Sequence, residues 1–232
     1  MKKERRVGQM MKYKLTRSKR KTIGIYIKNG EIQVRAPFRC LQKDIDVFVF
    51  SKQGWINEKL ALSKMQVEQK ELFSLNYGDS IPFCGSYYPI TSREGANTPF
   101  VLPPDLDNQQ IKDACIKIYK HLAKVHISQR AGEYAAKMDA HPASIKINSA
   151  KTRWGSCSSK GNVNFSWRLI MAGHKAIDYV IIHELAHLKE MNHSPRFWAI
   201  VARFMPDYKE AVAALRSLEK KLHSQDWNLS SS

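Results

Sequence analysis

His183-Glu184-Leu185-Ala186-His187 constrains this chain more than any other five residues in it. Two histidines four apart on a helix lie on one face about 6 Å apart, near enough for both imidazoles to reach one metal ion. The glutamate one step after the first histidine points beside that ion, where it can take a proton from a bound water. Five residues are few enough to match by chance, so the surrounding sequence has to support the reading.

The run from Ala176 to Leu188 holds no Pro or Gly and reads as one helix. Ile177, Val180, Ile181, Leu185 and Leu188 recur at helical spacing and predict a buried stripe. His183 and His187 fall beside it, on the side of Ala176 and Tyr179. The helix is therefore expected to bury one face and offer its histidines on another.

A catalytic zinc site takes three protein ligands and leaves one position for water. His193 is the expected third ligand. On a continuing helix it would sit about 9 Å further along and roughly 120° around the axis. It can ligate only if the chain turns back. Asn192 can take the left-handed conformation that ends a helix, and Ser194-Pro195 reads as N-cap and first residue of a new helix through Phe197 and Trp198. Glu210, on the next helix, is the alternative third ligand, as in zinc peptidases with a downstream Glu. The plainer reading makes His183 and His187 buried structural histidines.

Trp154-Gly155-Ser156-Cys157-Ser158, the stretch Asn164 to Leu169, Asp178 to Leu188 and Asn192 to Trp198 closely resemble the YgjP-like zinc metallopeptidases. That family is related more distantly to SprT-type and minimal gluzincin proteases. The resemblance extends into the amino-terminal half through Tyr13 to Arg20, Val34 to Pro37 and Phe48 to Trp55. It implies a cytoplasmic, metal-dependent hydrolase whose zinc ligands are His183, His187 and His193, with Glu184 as the catalytic base. The spacing from His187 to His193 also equals that of metzincins, but Glu190 stands where those carry glycine.

Residues 144 to 169 are expected to form the substrate platform. Ser144 to Asn148 and Asn162 to Trp167 alternate like strands around a turn at Ser158 to Gly161, predicting a hairpin before the metal helix. Its edge could pair with an extended peptide, with Trp154, Gly155, Ser156 and Asn164 as candidate substrate-binding residues. The alternative is an ordinary hairpin packed on the helix. Gly155-Ser156-Cys157 lacks the second glycine of a nucleophile elbow, and Cys157 reads as a plain thiol. Tyr179, His174 and Tyr208 are candidates for stabilising the developing oxyanion, and the sequence does not choose among them.

Charge raises a second question. The net formal charge is +17, and residues 1–21 hold ten Lys/Arg against one Glu. Such a basic arm could make nonspecific, salt-sensitive nucleic-acid contacts, or be merely solvated. No helix-turn-helix, zinc finger or RNA-binding signature accompanies it. No apolar run approaches a membrane span, no secretory signal is legible, and four scattered cysteines suit a reducing cytoplasm.

The expected fold is α+β: a β-rich amino-terminal part with a long helix, then a helical gluzincin-like zinc hydrolase part. Residues 1–105 form the first part, with strands at Lys12 to Arg17, Ile23 to Lys28 and Glu31 to Ala36, a turn at Asn29-Gly30, and a helix from Asp44 to about Leu72. Short strands follow from Leu75 to Leu102. Residues 106–223 form the catalytic part. It begins with a helix from Gln109 to Lys137 whose one face of Ile111, Ala114, Cys115, Ile118, Leu122, Val125 and His126 makes His126 a core-edge histidine and not a ligand. Residues 224–232 read as a disordered tail. The expected function is a zinc-dependent peptidase acting on exposed or extended protein segments. Two rivals stand beside it: a metal-dependent nucleoside triphosphate phosphohydrolase, and a nucleic-acid-associated binding module with a structural metal.

Overall fold

The computed structural model describes the backbone of residues 3–7 and the whole of residues 11–28 and 30–229. Its contacts divide the chain into two units, Met1–Phe73 with His223–Asp226, and Ser74–Leu222 with Trp227–Ser232. The boundary expected near residue 105 therefore lies inside the second unit.

In the first unit, strands β1 (Lys3–Val7), β2 (Met11–Ser18), β3 (Gly24–Lys28) and β4 (Glu31–Pro37) form one sheet in the order β1-β2-β4-β3. Alternation decides its faces. Met11 and Tyr13 on β2, with Ile32, Val34 and Ala36 on β4, turn inward onto Ile45, Val49 and Ile56. Those three belong to α1 (Gln42–Ser51) and α2 (Gln53–Glu71). The β3–β4 hairpin forms as expected, with Ile27 opposite Ile32 and Gly30 at φ +71°; Asn29 lies outside the described residues. Strand β2 runs parallel to β4.

Two expectations change here. Much of the basic arm over 1–21 is paired strand, since β1 and β2 form an antiparallel pair; residues 1, 2 and 8–10 lie outside the described set. The helix expected from Asp44 to Leu72 is broken at Lys52, whose φ, ψ of −106°, 13° leave the helix. The Ser51 hydroxyl donates to the Phe48 carbonyl at 2.8 Å, offering the backbone a local alternative just where Gly54 weakens helix propensity.

The second unit opens with a hairpin, β5 (Ser80–Phe83) to β6 (Ser86–Pro89). Its two-residue turn, Cys84 at φ 49° and Gly85 at φ 88°, has the positive dihedrals that match strand twist. A Cβ on Gly85 would come within 3.0 Å of the Gly173 Cα, so the turn needs glycine on both counts. Helix α3 (Asn108–Lys137) starts at a capping box, Asp107 with Gln110. Its buried face runs through Cys115, Tyr119, Ala123, Ile127 and Ala131. Ile111 and Cys115 are buried as expected, but further along the buried side is rotated from the expected one, leaving Val125 and His126 exposed. The small residues Ala123 and Ala131 mark the close side, a signal that a search for large apolar residues passes over.

Tyr119 anchors the core, donating its hydroxyl to the Pro82 carbonyl at 2.6 Å and stacking on Trp167 at 5.8 Å. Trp227 packs edge-on against the same ring at 5.6 Å and is only 3% exposed. Its carbonyl accepts from the buried Arg168 at 2.6 Å. The tail expected to be disordered over 224–232 thus contributes a core residue; residues 230–232 lie outside the described set.

The hairpin expected over 144–167 is instead a three-stranded sheet in the order β7-β9-β8, from β7 (Ser144–Asn148), β8 (Gly155–Cys157) and β9 (Asn162–Ser166). Strand β7 runs parallel to β9, and the true hairpin is β8–β9. Beyond a 3-10 turn at Trp167–Met171 come α4 (His174–Ala186), α5 (Pro195–Phe204) and α6 (Tyr208–His223). The architecture is α+β, with small open sheets. No helix among the described residues is long and apolar enough to cross a membrane.

Candidate metal centre

Helix α4 is buried more widely than one stripe, with Ala176, Ile177, Tyr179, Val180, Ile181, Ile182, Glu184, Leu185 and Ala186 all inside. It is clamped from the side by α3. Arg130 donates to both carboxylate oxygens of Asp178 at 2.7 Å, and the Tyr134 hydroxyl donates to Oδ2 at 2.9 Å. A planar guanidinium matched to a planar carboxylate fixes orientation as well as position. The last turns of α4, which carry the histidines, are thus set on a rigid element.

The helix stops at Ala186, two residues before the expected end. Asn192 is not among the described residues with positive φ; it makes the corner another way, its Oδ1 accepting from the Ser194 amide at 3.0 Å. Ser194 then caps α5 as expected, its hydroxyl accepting from the Phe197 amide at 3.3 Å, with Pro195 in the first turn. Chain reversal by a side-chain bond achieves what the left-handed residue was expected to do.

His193 is thereby returned to His183. Their Nε2 atoms are 3.2 Å apart, and one ligand atom from each of His183, His187 and His193 lies within 4.8 Å of the others. The outer nitrogens are occupied. His183 Nδ1 meets the Tyr179 hydroxyl at 3.4 Å, and His187 Nδ1 meets the Glu190 carbonyl at 3.2 Å. Partners on Nδ1 fix each ring and leave Nε2 for an ion. Burial and the two neighbouring imidazoles hold His183 down to about 4, so it is neutral, as a ligand must be, near pH 7. Among the described residues the cluster is three histidines and no fourth His, Cys or carboxylate. A trio with an open side fits a catalytic ion better than a closed structural one.

Phe197 is the floor of the cluster. It is fully buried, and its ring centre lies 4.9, 4.5 and 4.7 Å from those of His183, His187 and His193. Beside it, His193 stacks on Trp198, Trp198 on Tyr208, and Tyr208 on Tyr179. Phe197 and Trp198 are expected from the sequence only as residues of a helix, with no part in the site. The available signal was their position, two bulky aromatics directly after the cap that follows His193.

Glu184 is 7% exposed, and burial pushes its carboxyl up to about 7, with Arg153 pulling the other way. It packs against β8. A Cβ on Gly155 would lie 2.6 Å from Glu184 Cγ and 2.7 Å from Oε1, so the absent side chain is the space the carboxylate fills. Gly155, predicted to touch substrate, here touches Glu184. Cys157 is on the same side of β8, where burial and Glu184 raise its thiol. Ser156 lies opposite Asn164 in register, and by alternation both face away from α4. The Trp154 carbonyl accepts from the Ser166 amide at 2.8 Å.

His174 and Glu210 separate from the cluster, whereas Tyr179 and Tyr208 lie beside it. His174 begins α4, nine residues or about 14 Å of helix before His183. Glu210 accepts from Lys175 at 2.6 Å, near the start of α4, so the alternative ligand is held away from the histidines. Tyr179 is engaged with His183 and stacked on Tyr208.

No curated protein matches the chain significantly. Two solved metallopeptidase zymogens overlap part of it: abylysin of Pyrococcus abyssi (22% identity, 41% of this chain and 94% of that one, TM-score 0.36) and jannalysin of Methanocaldococcus jannaschii (20%, 41% and 92%, 0.33). A model of the YgjP-like metallopeptidase domain matches residues 21–218. That span covers most of both units and every residue of the histidine cluster, and the chain belongs to the YgjP-like metallopeptidase family.

Proposed function

We propose that the protein is a zinc-dependent peptidase in which His183, His187 and His193 hold the ion and Glu184 is the general base. The observation that carries the reading is the convergence of three imidazoles within 4.8 Å, with the buried Glu184 directly after the first of them. Zinc in such a site supplies a Lewis acid and makes water nucleophilic near neutral pH. Three imidazoles match its preference for nitrogen ligands.

Glu184 takes the proton of the attacking water and returns it to the leaving amine. Burial, which favours the protonated carboxyl, suits it to hold that proton between the two steps. The substrate lies along β8, which among the described residues is the edge of its sheet and packs one face on Glu184. An extended segment adding to that edge would be held by backbone hydrogen bonds with little side-chain selection. On this reading β8 recognises substrate through its backbone, since Ser156 and Asn164 turn away from the helix.

Elemental analysis of wild type beside Glu184→Gln, with hydrolysis of unfolded casein and of nucleoside triphosphates, tests the proposal. One zinc in each protein, with casein cleavage lost only in the variant, is expected. Nucleotide hydrolysis without casein cleavage would transfer the site to a phosphohydrolase. Zinc bound with neither activity would favour the structural-metal reading.

A further inference from the structure

We propose that the open face of the first unit's sheet binds single-stranded nucleic acid, with Tyr26 and Arg35 as a stacking platform. Residues 1–73 carry 18 Lys/Arg against 7 Asp/Glu, so most of the net charge belongs to this unit. The sheet gives that charge a direction. One face is closed by α1 and α2 through Tyr13, Val34, Ile45 and Val49. Alternation puts Lys12 and Lys14 of β2, Arg35 of β4, and Tyr26 and Lys28 of β3 on the other.

That face is built, not merely solvated. The Arg35 guanidinium lies over the Tyr26 ring at 4.7 Å, while the tyrosine remains 42% exposed. Lys12, Lys28 and Arg35 are exposed, and among the described residues none of them has a carboxylate partner. Glu31, an acid on the same face, is held by Lys14 at 2.6 Å. Gly24 leaves room beside the ring: a Cβ there would meet the Arg20 guanidinium at 2.8 Å and the Tyr26 ring at 3.1 Å. Arg20 Nε is buried there and, among the described residues, has no hydrogen-bond partner. A further cation is therefore packed against the platform without an acid to hold it.

The chemistry that answers this face is one flat π surface flanked by regularly spaced negative charge. Strands two apart in a sheet stand about 10 Å from each other, so β2 and β3 set their lysines on either side of Arg35. A single strand can lay a base on the ring and guanidinium while its phosphates meet the lysines. A duplex keeps its bases stacked internally and could use only the cations. A lipid surface would ask for apolar side chains pointing outward, and on this face the tyrosine ring is what there is.

The test is fluorescence anisotropy of the full chain with fluorescein-labelled 12-mers of oligo(dT) and oligo(U) and a 12-base-pair duplex, over a series of salt concentrations. Single strands are expected to bind more tightly than duplex, and the tighter of the two oligomers identifies the source as DNA or RNA. Tyr26→Ala should weaken single strands about tenfold with the salt slope kept. Tyr26→Phe should bind like wild type. Lys12→Glu with Lys28→Glu should flatten the slope of log K against log salt by about 1.4. Glu184→Gln should bind as wild type does. Absence of binding at low salt, a duplex preference, or Tyr26→Ala within twofold of wild type would each overturn the proposal.

Discussion

Replacing Gly155 by alanine should disable the site while leaving its histidines intact. The added Cβ would stand 2.6 Å from Glu184 Cγ, 2.7 Å from Oε1 and 2.9 Å from Cδ. Carbon atoms rest at 3.5–4.0 Å, so the carboxylate must retreat by about 1 Å. Overpacking of this kind costs about 1–3 kcal/mol of stability. A reacting group misplaced by about 1 Å costs roughly a hundredfold in rate. The assay is steady-state cleavage of a fluorogenic peptide with metal content measured alongside. Because Glu184 is displaced and the β8 edge is not, kcat should fall about a hundredfold with KM little changed. Ser156→Ala, on the opposite face, should remain within about twofold of wild type. Full activity in Gly155→Ala with metal retained would refute the argument that the missing side chain holds the base. A raised KM at unchanged kcat would return Gly155 to substrate binding.

Three further outcomes follow from the same structure. In chelator-treated protein, His183 near 4 rather than its ordinary 6.5 makes the fold lose stability as pH falls through 6.5 to 4, because only the unfolded chain takes up that proton. Glu184 near 7 rather than 4.5 acts in the opposite sense, gaining stability as pH falls from 7 to 4.5. Each effect is of the order of 3 kcal/mol, so urea unfolding of the wild type should vary little over this range, whereas Glu184→Gln should lose about 3 kcal/mol from pH 7 to 4. Asp178→Asn, which breaks the paired bonds from Arg130, should cost about 2 kcal/mol by the same denaturation and lower the metal occupancy of α4. Truncation before Trp227 should cost about 3 kcal/mol, since the indole is buried against Tyr119; limited proteolysis would then cleave the truncated protein faster.

The histidines were legible because helix geometry is local. A spacing of four and an apolar stripe suffice to put His183 and His187 together, and Ser194-Pro195 marked the next helix from chemistry confined to a few residues. What local pattern could not carry was pairing over distance. Strand β7 was legible as a strand, yet its parallel partnership with β9, and β8 as the second partner, depend on residues between them that pattern leaves open. Gly155 shows the same limit at one residue. Its sequence neighbours say turn or strand, while its role against Glu184 depends on the 28 intervening residues folding into a sheet and a helix. Trp227 sat in a polar stretch whose composition reads as tail, and only Tyr119 and Arg168, far away in sequence, explain its burial. On α3, alanines at Ala123 and Ala131 marked the buried side, and large apolar residues such as Val125 pointed elsewhere.

X-ray absorption at the zinc edge, on protein purified in the presence of zinc, tests the central claim most directly. The account predicts about three nitrogen ligands at about 2.0–2.1 Å with one open, water-bearing position, and loss of that shell in His193→Ala. A sulfur ligand at about 2.3 Å, the distance of a cysteine thiolate, or an unchanged shell in His193→Ala, would contradict it.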